Sequence, residues 1–184
     1  MRLSTRRQFT RVLLGGAAAG GAAFLVRHDP AAASDKTGKK FEIERSPEAW
    51  RKLLTPAQYH VLREHGTERA FTHPYDKLYD PGVYHCAGCD LPLYASTTKY
   101  DSRTGWPSFW KPLDNAIGTK EDRSWFLAVR TEVHCRRCGG HLGHVFEDGP
   151  PPTGLRYCMN GAAMKFVPAP SNTPQDQMSV EKKS

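Results

Sequence analysis

Five cysteines divide into two Cys-x-x-Cys pairs, Cys86/Cys89 and Cys135/Cys138, and a fifth, Cys158, in the run Arg156-Tyr157-Cys158-Met159-Asn160. Two thiolates three residues apart can grip one ion from a single tight turn, and two such turns complete the four-sulfur tetrahedral shell that Zn²⁺ favours. That shell has no open coordination position, so the ion is expected to be structural rather than catalytic. The 45 residues between Cys89 and Cys135 exceed an ordinary zinc ribbon, and the metal would pin two distant hairpins together. Gly88, Gly139 and Gly140 stand where chelating loops need unusual backbone angles. Two disulfides, or a redox-active pair, are the other chemistries this spacing permits.

Cys158 has no cysteine left to pair with, and a lone cysteine in a strand is commonly a small buried hydrophobe. Its neighbours argue for chemistry instead. Arg156, two residues earlier and on the same strand face, could favour the thiolate. Two histidines three apart, His141 and His144, lie in Gly140-His141-Leu142-Gly143-His144-Val145-Phe146, and a Cys with nearby His is the usual arrangement of an activated sulfur nucleophile. The histidines could alternatively ligate a metal, although the thiolate pairs already satisfy one. In Thr104-Gly105-Trp106-Pro107-Ser108-Phe109-Trp110 three aromatics gather around Gly and Pro, as in a core or in a pocket wall.

These groups must be carried by a modest fold. At 184 residues the chain has room for one domain of ordinary size. Its start, residues 1–33, resembles a twin-arginine export signal: Arg6-Arg7 is followed two places later by Phe9, an uncharged Ala- and Gly-rich run extends from Val12 to Val26, and Ala31-Ala32-Ala33 offers a cleavage site. The apolar run is too short and too soft for a bilayer span, which needs about 20 residues. The segment holds five Arg and one Asp, net +4, so the chain's +7 falls to +3 without it, and the case for nucleic acid is weak. Residues 34–40 read as a linker and 169–184 as a disordered tail, leaving 41–168 as the folded part. Export into an oxidising bacterial periplasm would endanger free thiols. A route that carries proteins already folded lets metal shield them first.

Ser46-Pro47 and Thr55-Pro56 each open a short helix with a cap residue and a first-turn proline, the second covering Ala57 to Glu64 and ended by Gly66. From Val83 onward Gly, Pro, Asp and Asn punctuate short runs rich in aromatic and β-branched residues. Strands are expected over Val83–Ala87, Leu93–Ser96, Ser124–His134, His141–Phe146 and Leu155–Phe166, the last interrupted near Gly161. No helical period separates them, so the fold class is mainly β, antiparallel, with short N-terminal helices.

Leu54-Thr55-Pro56-Ala57-Gln58-Tyr59-His60, Gly66-Thr67-Glu68-Arg69, the first Cys pair, Gly105-Trp106-Pro107-Ser108-Phe109, the second Cys pair, Gly143-His144-Val145-Phe146 with Asp148-Gly149-Pro150, and Arg156-Tyr157-Cys158-Met159-Asn160 occur in an order that resembles the B-type methionine-R-sulfoxide reductases. The resemblance covers residues 52 to 167. It implies two antiparallel β-sheets, one structural Zn²⁺ on Cys86, Cys89, Cys135 and Cys138, and thiol-dependent reduction of methionine-R-sulfoxide, protein-bound or free, in repair of oxidative damage. Cys158 would be the nucleophile and pass through a sulfenic acid. His141, His144 and Asn160 would bind and polarise the sulfoxide, Trp106 would cradle its methyl group, and Phe146, Asp148 and Arg156 would support binding. The expected partners are oxidised substrates and a thioredoxin-like or other thiol reductant, with the chain a monomer in the periplasm and no lasting membrane attachment.

Three positions depart from the family's pattern. Thr104 stands where many members carry a resolving cysteine, so recycling must use an external thiol. Arg103 replaces a usual Gly, and Gly161 a usual Ser. A zinc-stapled peptide-binding module with an inert Cys158, and a thiol peroxidase, are the competing functional classes.

Overall fold

The computed structural model describes residues 40–123 and 129–170. The expected export signal, the linker up to residue 39, the 124–128 part of one expected strand and the tail from residue 171 lie outside the described residues.

Both helix starts follow their caps. Ser46 accepts the Ala49 N–H at the head of α1 (Pro47–Leu53), and Thr55 with Gln58 closes a reciprocal capping box on α2 (Pro56–Glu64). The left-handed residue that ends α2 is His65, φ 56°, one position before the expected Gly66. Gly66 is needed for a different reason: a β-carbon there would lie 2.3 Å from the His60 ring. The helices bury Trp50, Val61 and Leu62, each side chain stabilising the fold by roughly 1.5–3 kcal/mol.

Among the described residues nine strands follow: β1 (Gly82–Cys86), β2 (Pro92–Ala95), β3 (Lys99–Tyr100), β4 (Ser108–Phe109), β5 (Ile117–Asp122), β6 (Arg130–Cys135), β7 (His141–Phe146), β8 (Arg156–Met159) and β9 (Met164–Pro168). They form two antiparallel sheets, one ordered β2-β1-β9 and the other β3-β4-β8-β7-β6-β5. The run expected from Leu155 to Phe166 is two strands, because a 3₁₀ turn at Gly161–Ala163 hands the chain from the larger sheet to the smaller. Between the sheets lies an aromatic core, with Phe109 stacked on Tyr94 at 4.4 Å and Tyr84 set edge-on against Phe109.

Strand β8 sits inside the larger sheet, and its register sets the site. Cys158 is opposite Ser108 of β4 on one side and His144 of β7 on the other, and facing residues in an antiparallel pair carry β-carbons about 5 Å apart on one side of the sheet. This close spacing needs a bare backbone at Gly143, where a β-carbon would meet the Cys158 carbonyl oxygen at 2.1 Å. Gly143→Ala is therefore expected to force β7 and β8 apart, lowering stability by about 1–3 kcal/mol in chemical denaturation. Unchanged stability would show that the two strands have slack.

Candidate active site and metal centre

Cys158, His144, Asn160, Trp106 and Phe146 line one cavity of about 130 Å³, together with Thr67 and Arg130. This is enough for the end of one unbranched side chain. The strand pair supplies Cys158, His144 and Phe146; the loop before β4 supplies Trp106; and the turn after β8 supplies Asn160.

Asn160 is locked from three directions. Its backbone N–H and its Nδ2 both donate to the Leu142 carbonyl, at 2.8 and 3.0 Å, while Oδ1 accepts the Glu68 N–H at 3.0 Å. Because one neighbour is a donor and the other an acceptor, the amide has a single orientation, and its second N–H is left for a ligand. His144 is fixed by Nε2 at 2.8 Å from Asp122 Oδ2, an oxygen that also accepts from Arg130 at 2.8 Å. Burial lowers the His144 pKa, outweighing the Asp122 hydrogen bond that raises it. A neutral imidazole that donates Nε2–H to a carboxylate keeps Nδ1 as its basic atom.

Cys158 departs from the expected resting thiolate. Burial pushes its pKa up, and this outweighs the lowering by the Arg156 charge and by hydrogen bonds to Thr104 and Arg156. Thr104 thus lies beside the sulfur. Its hydroxyl continues to Ser102 at 2.8 Å and on to Ser108 at 2.7 Å.

Three expected site residues do not line the cavity. His141 is 2% exposed and stands behind His144, ring centroids 5.4 Å apart. Arg156 makes a two-pronged pair with Asp148, both bonds 2.8 Å, and lies over the Phe146 ring at 4.4 Å. Those two groups brace the wall that Phe146 presents.

Glu68 is the residue whose role the sequence did not reveal. Its carboxylate accepts the N–H groups of Gly161 and Ala162 at 2.6 and 2.9 Å, its N–H holds Asn160, and its carbonyl accepts the Trp106 indole N–H at 3.1 Å. One residue thus ties the loop before β4 to the turn after the cysteine. A Glu four positions after a helix carries no local signal of such distant partners.

At the far end of the sheets the four remaining sulfurs converge, with Cys86 Sγ to Cys138 Sγ at 3.7 Å, Cys89 Sγ to Cys135 Sγ at 3.4 Å, and all four within 4.8 Å of one another. All five cysteines are free. Ligands held 2.3 Å from a tetrahedral ion stand about 3.8 Å apart, so the cluster fits a Cys₄ zinc shell. The left-handed residues of the two turns are Asp90 and Gly139, each following the second cysteine of its pair, whereas Gly88 has no positive φ. Without an ion, Cys86 and Cys138 hold their protons well above the ordinary thiol range, chiefly through hydrogen bonds with Cys135. Metal binding displaces such protons.

The SelR domain model matches residues 54–168, nearly all of the described fold. The chain belongs to this family, the B-type peptide-methionine sulfoxide reductases. The chain is 55% identical over 135 residues to a peptide methionine sulfoxide reductase MsrB of Agrobacterium fabrum, covering 73% of this chain and 98% of the relative. It is 52% identical over 126 residues to the protein so named in Leptospira interrogans, covering 68% and 96%. A chloroplastic peptide methionine sulfoxide reductase B1 of Arabidopsis thaliana matches at 55% over 121 residues, 66% of this chain and 60% of the relative. As a member of the family the chain is a peptide-methionine (R)-S-oxide reductase, and the expected mainly β fold of two antiparallel sheets is the one observed.

In the reductase, Glu68→Gln keeps the volume but replaces one of the two accepting oxygens with a donor that faces a backbone N–H. Hydrogen bonds to a charged group contribute about 1.5–3 kcal/mol, and misplaced binding groups slow catalysis by up to about a hundredfold. The variant should fold, lose on the order of 2 kcal/mol of stability, and show at least a tenfold lower kcat/KM. Wild-type kcat/KM in a folded variant would remove Glu68 from the positioning of the site.

Proposed function

We propose that Cys158 reduces the R epimer of methionine sulfoxide, free or in proteins, and that it passes through a sulfenic acid. The observation that carries this reading is the pairing of Cys158 with His144 across adjacent strands, in a cavity walled by Trp106 and Phe146. A sulfoxide sulfur becomes electrophilic when its oxygen receives a proton, so an attacking sulfur needs a proton donor on the oxygen side. The resting thiol of Cys158 brings that proton with it. Neutral His144 accepts it at Nδ1 and passes it to the sulfoxide oxygen, while the free N–H of Asn160 polarises the S–O bond.

The Cys158 sulfur forms a bond to the sulfoxide sulfur; hydroxyl then transfers to Cys158 as methionine departs with the electron pair. The thiol and the sulfoxide together become a sulfenic acid and methionine, with no other reactant. Trp106, oriented by Glu68, supports the apolar S-methyl group. His141 orients His144 from behind, and the Arg156–Asp148 pair holds Phe146 and the charge near Cys158. Return to the thiol takes two equivalents of an external thiol: the first forms a mixed disulfide and releases water, and the second regenerates Cys158. Thr104 and the four clustered sulfurs support this external route, for which a thioredoxin-like protein is the natural partner.

A single Zn²⁺ held by Cys86, Cys89, Cys135 and Cys138 would supply a cross-link between the sheets and take no part in the reaction. The twin-arginine motif and the Ala31–Ala33 stretch support export to the periplasm with metal already bound, and the modest +3 charge of the remaining chain argues against a nucleic-acid partner.

Cys158→Ser is expected to abolish reduction of R-methionine sulfoxide with dithiothreitol as reductant, while the wild type acts on the R and not the S epimer. Activity that survives the substitution would end the nucleophile assignment, and turnover of peroxide but not sulfoxide would favour a peroxidase. The wild-type enzyme oxidised by one substrate equivalent should carry a sulfenic acid or mixed disulfide, whereas an intramolecular disulfide to Cys158 would refute external recycling.

The raised thiol pKa also fixes a pH dependence. The thiolate fraction grows as pH rises through the folded pKa, which lies above the ordinary thiol value, so iodoacetamide should label Cys158 progressively faster toward alkaline pH. Thr104→Val removes a hydrogen bond that favours the thiolate, and its labelling midpoint should move to still higher pH. A midpoint below that of a free cysteine would contradict the assignment of burial as the dominant influence.

A further inference from the structure

His65 ends α2 in the left-handed conformation and so turns its ring over the edge of β6 and β7. There its Nδ1 lies 3.3 Å from Glu132 Oε1, and His141 Nδ1 lies 3.0 Å from the same oxygen. Hydrogen bonding does not account for these approaches. Glu132 Oε1 and both ring nitrogens of His141 are buried without a hydrogen-bond partner. Orphaned polar atoms in so closed a place cost about 1–3 kcal/mol each unless something else satisfies them.

The spacing matches a different kind of bond. Nitrogen and oxygen ligands held about 2.0–2.1 Å from a tetrahedral ion stand roughly 3.3 Å apart, close to the two contacts observed. One donor atom from each of the three residues lies within 4.8 Å of the others. Lys120 engages only the other Glu132 oxygen, Oε2, at 3.2 Å. Two imidazoles and one carboxylate are the donor set of zinc sites that keep a fourth position for water, and the half-exposed His65 gives an ion access from solvent.

We infer that His65, Glu132 and His141 form a second metal site, separate from the four-cysteine cluster, that takes a divalent transition-metal ion of the Zn²⁺ class. The site lies directly behind the active centre, since His141 packs 5.4 Å from the His144 ring. Its occupation would tie the end of α2 to β6 and β7. The inference is independent of the reductase chemistry.

Cobalt(II) titration of the full chain with zinc already in the cysteine cluster tests it, followed by optical spectroscopy and by metal analysis after desalting. The wild type should take up one further equivalent, with visible ligand-field bands but without the thiolate-to-metal charge-transfer absorption of a sulfur site. His65→Asn, chosen because Asn tolerates a φ of 56°, should bind that equivalent at least tenfold more weakly and keep its zinc. Glu132→Gln should do the same, and Cys158→Ser should bind it as the wild type does. No second equivalent in the wild type at sub-millimolar free cobalt would overturn the site. So would undiminished binding by folded His65→Asn, or charge-transfer absorption that Cys158→Ser abolishes, which would place the ion on the catalytic sulfur.

Discussion

The four-sulfur cluster is the constraint on which the two sheets depend. Cys86 ends β1 of the smaller sheet and Cys135 ends β6 of the larger one, so sulfurs gathered within 4.8 Å fasten one sheet to the other. The helices pack over the same place, and Gly88 and Gly140 come close to Leu62 and to the Cys138 sulfur. Without an ion these thiols would be four coupled acids in low dielectric, with no gain from being so close. With one, the repulsion becomes attraction, and the register of β6 and β7 is set from a fixed end. His144 and Gly143 lie on β7, so the position of Cys158 relative to His144 is referred back to that fixed end.

Much of this was legible in residue types. Caps at Ser46 and Thr55 act locally, through side chains three residues from the groups they satisfy, and the helices begin where those residues stand. Strands β1, β2 and β7 carry β-branched and aromatic residues between turn formers. The three strands that escaped notice lack such a pattern. Strands β3 and β4 are two residues each, too short for any period. Strand β5, Ile-Gly-Thr-Lys-Glu-Asp, lies at the sheet edge with neither side fully covered, and so has no reason to alternate. That omission hid Asp122, its last residue and the partner of His144.

The site divides along the same line. Residues recognisable by chemistry, the thiol, the imidazole, the indole and the amide, meet in one cavity. Residues that matter through distant hydrogen bonds, Glu68 above all, give no local sign, because their partners are more than thirty positions away in the chain. The departures from the family pattern have physical counterparts. At Gly161 a side chain would enter the His73 ring, 2.2 Å from its Nδ1, so His73 leaves room here only for Gly. Arg103 holds φ at 61°, a conformation that favours Gly, with its N–H on Asp101 Oδ1 at 2.9 Å. Part of the strain is thereby offset by a turn that carries Thr104 toward the Cys158 sulfur.

Thr104 shows how one substitution redistributes the chemistry. A resolving cysteine there would end each cycle within the chain, whereas a hydroxyl can only hydrogen-bond to the sulfur and connect it to Ser102 and Ser108. The sulfur is then tuned by two opposed influences, burial that keeps its proton and the pair of Thr104 and Arg156 that eases its loss. A thiol that rests protonated resists random alkylation and oxidation, since the thiolate is the reactive form. In the proposed mechanism it becomes nucleophilic when His144 takes the proton, a transfer that is productive only with an oxygen present to receive it. A sulfur that waits for its substrate is the consistent companion to the external recycling proposed above.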